Sequence, residues 1–267
     1  MSQACLSCYR DPSVHEAVSA LIRRRSTNRA DVRVVALAGF ELGDRRSVLD
    51  LGCGFGFMTE AVVPRVAADA QVVGVDACPE NEAAYLGRVT AAGREGRFVC
   101  RAVERVLDWP DRSVDLVVAS YSLYFFPEIL AEVARILRPE GLFVVLTHTV
   151  RSRQDLARFF GCAAADGGGV AQVDAFSAER GGAALEEHFA DVERIDYGNS
   201  LAFAAADVSD LVTYLRFKLP VFVSGAAFGD ELPEAMRGAI ATVLAGGGRI
   251  VVDKSDAIFR CRRPRCP

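Results

Sequence analysis

The run Asp50-Leu51-Gly52-Cys53-Gly54-Phe55-Gly56 joins one carboxylate to three glycines at alternate positions. Glycines let a chain turn sharply and let a ligand approach the backbone closely. Asp76 comes 20 residues after Gly56, at the end of a second apolar run, Gln71 to Asp76. A carboxylate placed there can accept two hydrogen bonds from a ribose diol. Together the loop and the acid form a nucleoside-binding arrangement, far more specific than either feature alone. A dinucleotide loop would read G-x-G-x-x-G, but its last glycine is replaced here by Phe57. A phosphate-binding loop would need Gly-Lys-Ser/Thr, which is absent. Asp50 also attracts an ammonium group and repels a pyrophosphate. S-adenosyl-methionine (SAM) carries an ammonium group, a ribose diol and no phosphate.

Three histidines are available for proton chemistry. His148 follows a fifth apolar run, on the rim where ligands of α/β proteins sit, and is the first candidate base. Unperturbed, it would titrate near pH 6–7. His15 lies on a leading helix that can cover the same rim. His188, beside Glu186 and Glu187, reads as a surface residue. Ser120-Tyr121-Ser122-Leu123-Tyr124-Phe125-Phe126 follows a fourth apolar run. Ser120 is placed at the cofactor, and Tyr121 and Tyr124 are placed to hydrogen-bond or stack on an acceptor, or to serve as core aromatics.

The elements that must hold these groups alternate. Short apolar strands are expected at 47–51, 71–76, 97–101, 114–120 and 142–147, with Arg138 to Gly141 as a turn into the last. Helices are expected at 11–25 (capped by Asp11 or Ser13), 29–41, 58–68, 79–92 and 128–137. Continuous apolar strands separated by helix-length segments indicate a parallel sheet covered on both faces, a three-layer α/β sandwich. Beyond Val150 the pattern loosens: helix over 152–190 interrupted by Gly167-Gly168-Gly169, a sixth strand over 192–203, helices at 207–219 and 231–244, and two closing strands at 249–252 and 256–260. The helices before the last strands read as an insertion over about 204–248. Its Leu211, Tyr214, Phe217, Phe222 and Phe228 suit either a lid over an apolar pocket or plain core packing.

The 267 residues, 51% hydrophobic and 25% charged, suffice for one large domain with a substantial core. A net charge of −4 provides no broad basic field for nucleic acid. Only Lys218 and Lys254 are lysines, so 29 of the 31 basic residues are arginine, which reads as coding bias. Met1 to Cys8 carries no basic or apolar leader, and no segment approaches a membrane span, so a cytoplasmic location without membrane attachment is expected. Cys53, Cys78, Cys100 and Cys162 read as reduced thiols. Cys5-x-x-Cys8 and Cys261-x4-Cys266 would make a zinc site or a disulfide pair if the termini met. No metal is expected, because the second spacing is loose and Arg262, Arg263 and Arg265 repel a cation.

Val48 to Gly56 resembles the first motif of the class I SAM-dependent methyltransferases, and Val73-Gly74-Val75-Asp76 their acidic second motif. Asp108 to Val117 and Leu130 to Gly141 resemble the segments that flank the family's fourth strand. The resemblance is strong over about residues 45–148 and weak outside. It implies a Rossmann-like seven-stranded sheet whose last strand is antiparallel, with SAM as cofactor. By the same resemblance Gly52, Cys53, Gly54 and Gly56 approach the cofactor, Asp50 lies near its methionine part, and Asp76 and Ala77 lie at the ribose. Ala102, Val103 and Glu104 fall where many members carry an adenine-binding Asp, so backbone contact from Val103 or an offset Glu104 is the expected substitute. Residues 1–44 then cap the site, 45–150 form the SAM-binding core, and 151–267 complete the same domain. The expected reaction is methyl transfer to an O, N or C atom of a small molecule, with His148, Tyr124 and His15 as candidate catalytic residues. No Asn/Asp-Pro-Pro-aromatic run and no acidic cluster follows the fourth strand, which disfavours nucleobase amines and a catechol-type magnesium site. The alternatives are an RNA-modifying enzyme, served by the arginines at 260–265, and a SAM-binding protein without methyl transfer. The oligomeric state is not specified by these features.

Overall fold

A computed structural model describes residues 9–159, 172–222, 232 and 234–265. The chain opens with helix α1 (Pro12–Arg25), whose N-terminus Asp11 caps by accepting from the N–H groups of Ser13 and Val14. A short helix α2 (Val32–Leu37) follows. The alternating region then runs β1 (Ser47–Leu51), α3 (Thr59–Val62), β2 (Gln71–Asp76), α4 (Glu82–Ala91), β3 (Gly96–Cys100), β4 (Val114–Ser120), α5 (Leu130–Ile136) and β5 (Leu137–His148). After it come α6 (Val150–Phe159), α7 (Gly181–Glu186), β6 (Phe189–Tyr197), β7 (Ser200–Phe203), α8 (Val208–Phe222), α9 (Glu234–Ala245), β8 (Ile250–Asp253) and β9 (Asp256–Pro264).

Seven strands form one sheet in the order β3-β2-β1-β4-β5-β9-β6. β9 runs antiparallel to both of its neighbours, while the pairings among the first five strands are parallel. This is the Rossmann-like sheet with an antiparallel last strand expected from the sequence. The central strands β1 and β4 are buried almost throughout because apolar layers cover both faces. Strand order reverses direction between β1 and β4, and a crevice opens there at the carboxyl ends of the strands.

Several expected boundaries differ. The segment 192–203 is not one strand: it breaks at Gly198-Asn199, leaving β6 in the main sheet and β7 in a separate antiparallel pair with β8. Asn199 is drawn off the strand by its side chain, which donates to Ser26 Oγ at 2.9 Å and accepts from the Asn28 N–H at 3.1 Å. The segment 249–252 therefore leaves the main sheet too. Arg138 to Gly141 is part of β5, with a register shift against β4 absorbing the extra residues. Helix ends by Glu186, and Phe189 and Ala190 already belong to β6. α3 stops at Val62 and passes into a 3-10 turn containing Pro64. Phe228 and Gly167 to Gly169 lie outside the described residues, as do Cys5, Cys8, Cys162 and Cys266. Cys53 and Cys78 are buried free thiols, whereas Cys100 is exposed. Cys261 sits in the core of β9, where burial pushes its thiol up, a poor setting for a metal-binding thiolate. Among the described residues no group of three metal-type ligands occurs, and no helix is long and apolar enough to cross a membrane.

Asp115 ties the start of β1 to β4. Its carboxylate accepts the N–H groups of Arg46 and Ser47, both at 2.9 Å, and pairs with Arg138. Burial works to raise its pKa, but these bonds outweigh it and the net shift is downward. Asp115→Ala should cost about 2–3 kcal/mol in chemical denaturation, because two backbone donors lose their acceptor. The wild-type contribution is present above the ordinary carboxylate range and disappears as pH falls below about 4. A variant as stable as wild type would contradict this assignment.

Candidate active site

The crevice at the strand ends is a cavity of about 410 Å³, within the usual range for small-ligand sites. On one side it is lined by Gly52, Cys53 and Gly54 after β1, by Asp76, Ala77 and Cys78 after β2, and by Ala102 and Val103 after β3. Gly52 and Gly54 take positive φ of 67° and 51°. A Cβ at Gly52 would stand 2.5 Å from Ser122 Cβ, so only glycine lets the loops after β1 and β4 meet. The Gly54 N–H donates to one Asp76 oxygen and the Cys78 N–H to the other, each at 2.8 Å. Asn81 Nδ2 also donates to Oδ1, at 3.3 Å, so the carboxylate is fixed and Oδ2 keeps a second lone pair for a ligand. Ser120 also lines the cavity, and its Oγ has no hydrogen-bond partner among the described residues.

The opposite side is aromatic and charged. Tyr121, immediately after β4, has φ of 55°, an uncommon backbone for a bulky side chain. Its ring stacks on His148 with centroids 4.7 Å apart, and its hydroxyl donates to Asp256 Oδ2 at 2.9 Å. The β5–β9 register sets His148 opposite Asp256, whose Oδ1 lies 2.9 Å from His148 Nδ1. Lys254, on the turn between β8 and β9, donates to Asp256 Oδ2 at 2.5 Å. Lys218 of α8 reaches the same cavity, 6.0 Å from the Tyr121 ring centroid and 5.5 Å from that of Phe217. His15 of α1 closes the cavity, stacked on Phe217 and edge-on to Phe55 and Tyr9.

Burial would raise the Asp256 pKa, but the Lys254 charge and the His148 bond hold it well below the usual carboxylate range. An ionised carboxylate only accepts, so His148 carries its proton on Nδ1 and presents Nε2 as an acceptor. Burial first, then Lys218 and Lys254, push the His148 pKa to about 3. His15 falls to about 3 for the same first reason, with Lys218 adding to it. The titration near pH 6–7 expected of an unperturbed His148 is therefore displaced far toward acid.

Four expected site residues do not line the cavity. Asp50 lies behind the glycine loop, 1% exposed, and accepts from Thr59 Oγ1 at 2.5 Å; burial raises its pKa to about 7. It is not among the residues lining the cavity, and its Oδ1 has no hydrogen-bond partner among the described residues. Gly56 packs against Tyr85 and Arg88 of α4. Glu104 points to solvent, leaving Val103 as the wall after β3. Tyr124 is fully buried, with its hydroxyl 3.4 Å from that of Tyr9, because the 3-10 turn after β4 directs it into the core while Tyr121 takes the cavity. Sequence reasoning missed Asp256, Lys218 and Lys254 as site residues. The two lysines carried a signal, since they are the only ones in an arginine-rich chain; Asp256 carried none.

Fold and site together define an α/β protein with a nucleoside-type loop facing an enclosed small-ligand cavity. The family model described as a methyltransferase domain matches residues 49–145. The ubiquinone biosynthesis O-methyltransferase of Idiomarina loihiensis is 32% identical over 112 residues, 40% of this chain and 45% of that protein. The phosphatidylethanolamine N-methyltransferase of Cereibacter sphaeroides is 33% identical over 114 residues, 41% of this chain and 54% of that one. The chain thus spans about half the length of these curated relatives. In fold, a candidate methyltransferase from Bacillus halodurans superposes with a TM-score of 0.55 at 16% identity, over 88% of this chain and 98% of that one. Over residues 49–145 the chain is thus similar to the methyltransferase domain, and its fold is that of SAM-dependent methyltransferases.

The folded His15 and His148 pKa values near 3 lie below the ~6.5 of a free imidazole. As pH falls, the unfolded chain binds these protons first, so the stability contributed is full above about pH 6.5 and is lost progressively below it. Nitrogen-15 NMR should find both rings neutral from about pH 5 to 8, with the His148 proton on Nδ1. A His148 ring that titrates near neutrality, or is protonated on Nε2, would refute this electrostatic description.

Proposed function

We propose that the protein binds SAM along Gly52–Gly54, Asp76 and Ala102–Val103, and transfers its methyl group to a small-molecule acceptor held against Tyr121 and His148. The observation that carries this reading is that the glycine loop, the fixed Asp76 carboxylate and the His148–Asp256 pair all face one cavity. The residues suit the cofactor: a glycine cradle at Gly52 and Gly54, an acid whose Oδ2 keeps a lone pair for the ribose, and a backbone wall at Val103 for the adenine. When bound, SAM supplies an electrophilic methyl on a sulfonium, already activated for displacement.

The protein's own task is then to hold the acceptor in line and keep water out. Phe57, Phe125, Phe126 and Phe217 wall the cavity and exclude solvent. Tyr121 provides a flat surface whose orientation is fixed through Asp256. His148 Nε2 is the acceptor for a proton that the attacking group must lose, with Asp256 holding the ring by its Nδ1–H. The RNA-modifying alternative draws no support from the arginine-rich end. Arg260 is 8% exposed and donates to the carbonyls of Val35 and Ala36, and both Arg260 and Arg262 stack over Phe40.

Asp76→Ala should weaken SAM binding by about 1.5–3 kcal/mol, read by calorimetry, through loss of a charge-assisted ribose contact. Unchanged affinity in a folded variant would remove Asp76 from the site. The acceptor is sought by mass spectrometry of extracts incubated with enzyme and methyl-labelled SAM. Bound SAM with no labelled product in any extract would favour a protein that binds SAM without transferring methyl. On the acceptor so found, His148→Ala should lower kcat by about 10²–10⁴-fold with SAM affinity nearly unchanged. A near-normal kcat would leave positioning alone as the source of catalysis.

A further inference from the structure

Asp50 is a carboxyl enclosed behind the glycine loop, two residues before Gly52. Its Oδ2 accepts from Thr59 Oγ1 at 2.5 Å, and its Oδ1 has no hydrogen-bond partner among the described residues. Strand register sets Gly74 of β2 on one side of it and Val118 of β4 on the other. The space over Gly74 is filled by the Tyr85 ring of α4 and by Cys53 Sγ, which a Cβ there would meet at 2.5 and 2.7 Å. The titratable groups that act on Asp50 or feel its charge are Asp76 at the end of β2, Cys53 of the loop and Tyr85 of α4. None of them is a cation. Arg33 of α2 pairs with Asp31 and Glu60, and Arg88 of α4 with Glu16. Burial pushes the Cys53 thiol and the Tyr85 phenol upward, so neither ionises near neutral pH. Burial, opposed by the Thr59 bond and aided by the Asp76 charge, lifts the Asp50 carboxyl to about 7. A cation bound on the cavity side of the loop would be the counter-charge that the enclosure lacks.

We propose that Asp50 determines the preference for SAM over S-adenosyl-homocysteine, losing its proton to solvent when the sulfonium arrives at the glycine loop and regaining one when the spent cofactor replaces it. This deepens the methyltransferase reading and rests on it for the identity of the ligand; the enclosed carboxyl rests on the geometry alone. The two ligands share adenine, ribose, ammonium and carboxylate, and differ by one methyl group and one positive charge. Contacts to the shared parts hold both equally and cannot tell them apart. A carboxylate behind the loop can do so through its field, without touching either. Two unit charges about 10 Å apart, at an effective dielectric of about 20, shift an equilibrium by roughly tenfold. A carboxyl ionised at all times would be costly to bury in the empty protein, and one neutral at all times would not discriminate. A carboxyl that changes state near neutral pH is charged when the sulfonium is present and neutral when it is gone.

The test is calorimetry of SAM and of S-adenosyl-homocysteine without acceptor, from about pH 5.5 to 7.5, a range in which His15 and His148 stay neutral. Across it the affinity for SAM relative to S-adenosyl-homocysteine should rise about fivefold or more. Near pH 6.5 SAM binding should release part of a proton, read from buffers of different ionisation enthalpy, as the linkage requires. Asp50→Asn should abolish the pH dependence and the proton release, leave S-adenosyl-homocysteine affinity unchanged, and hold SAM at the affinity wild type shows in acid. Thr59→Val, which removes a donor to the ionised form, should move the rise to higher pH, a change that a merely structural role would not produce. Carbon-13 NMR of the free wild-type protein should show the Asp50 carboxyl titrating near neutral pH. An affinity ratio independent of pH, a proton release that persists in folded Asp50→Asn, or an Asp50 already ionised in acid overturns the proposal. The pH profile, the proton count and the carbon-13 titration need wild-type protein alone, so they decide the matter even if a variant fails to fold. Absence of binding by both cofactors at every pH would overturn the methyltransferase reading and this proposal with it, whereas binding without pH dependence overturns this proposal alone.

Discussion

Asp256 is a negative charge held almost entirely away from water, 2% exposed, and a buried charge survives only with partners close at hand. Its partners come from three separate parts of the chain. β5 brings His148, the loop after β4 brings Tyr121, and the turn before β9 brings Lys254. The antiparallel pairing of β9 with β5 makes this possible, because it places Asp256 directly across from His148. Had the last strand entered parallel to β5, its first residue would lie at the other end of the sheet, away from the cavity. The inverted strand of this sheet is therefore also the element that equips the His148 side of the cavity.

The two sides of the cavity solve different physical problems. The glycine-loop side works with backbone: positive-φ glycines, and a carboxylate fixed by two N–H groups before any ligand arrives. Such preorganisation avoids reorganisation on binding and tolerates variation in neighbouring side chains. The opposite side works with side chains from the less regular part of the chain: α1, the loop after β4, α8 and the β8–β9 turn. Bound charges there set the tautomer and the basicity of His148, and the aromatic rings determine its orientation. This division matches the extent of the family match, which ends at residue 145, before His148, Lys218, Lys254 and Asp256.

The small β7–β8 sheet links the two halves. β7 follows β6 without a long loop, breaks away at Asn199, and is bridged through Leu201 to Ser26 at the end of α1. Arg24 and Arg25 of α1 pair with Asp210 of α8, and Arg25 also with Asp207. α1 and α8 are thus clamped to each other over the cavity, which is how His15 and Phe217 come to stack. Removal of either helix would open the aromatic wall to water.

Local chemistry made half of this molecule readable before any coordinates. A glycine loop needs particular residues at particular spacings, and the parallel strands around it are continuous apolar runs, so β1, β2, β4 and the placement of Asp76 follow from nearest neighbours in the chain. His148 and the order of elements were legible for the same reason. Tyr121 and Tyr124, three residues apart on one aromatic run, could not be separated, because only the positive φ at Tyr121 decides which ring meets the cavity. The burial of Asp50 beside Thr59, away from the lining of the cavity, was likewise not readable from the glycine loop. Asp256 and the two lysines had no motif around them. Their placement depends on strand register and on charges far along the chain from His148 and Tyr121 meeting in one buried volume, and such contacts exist only once the sheet has closed.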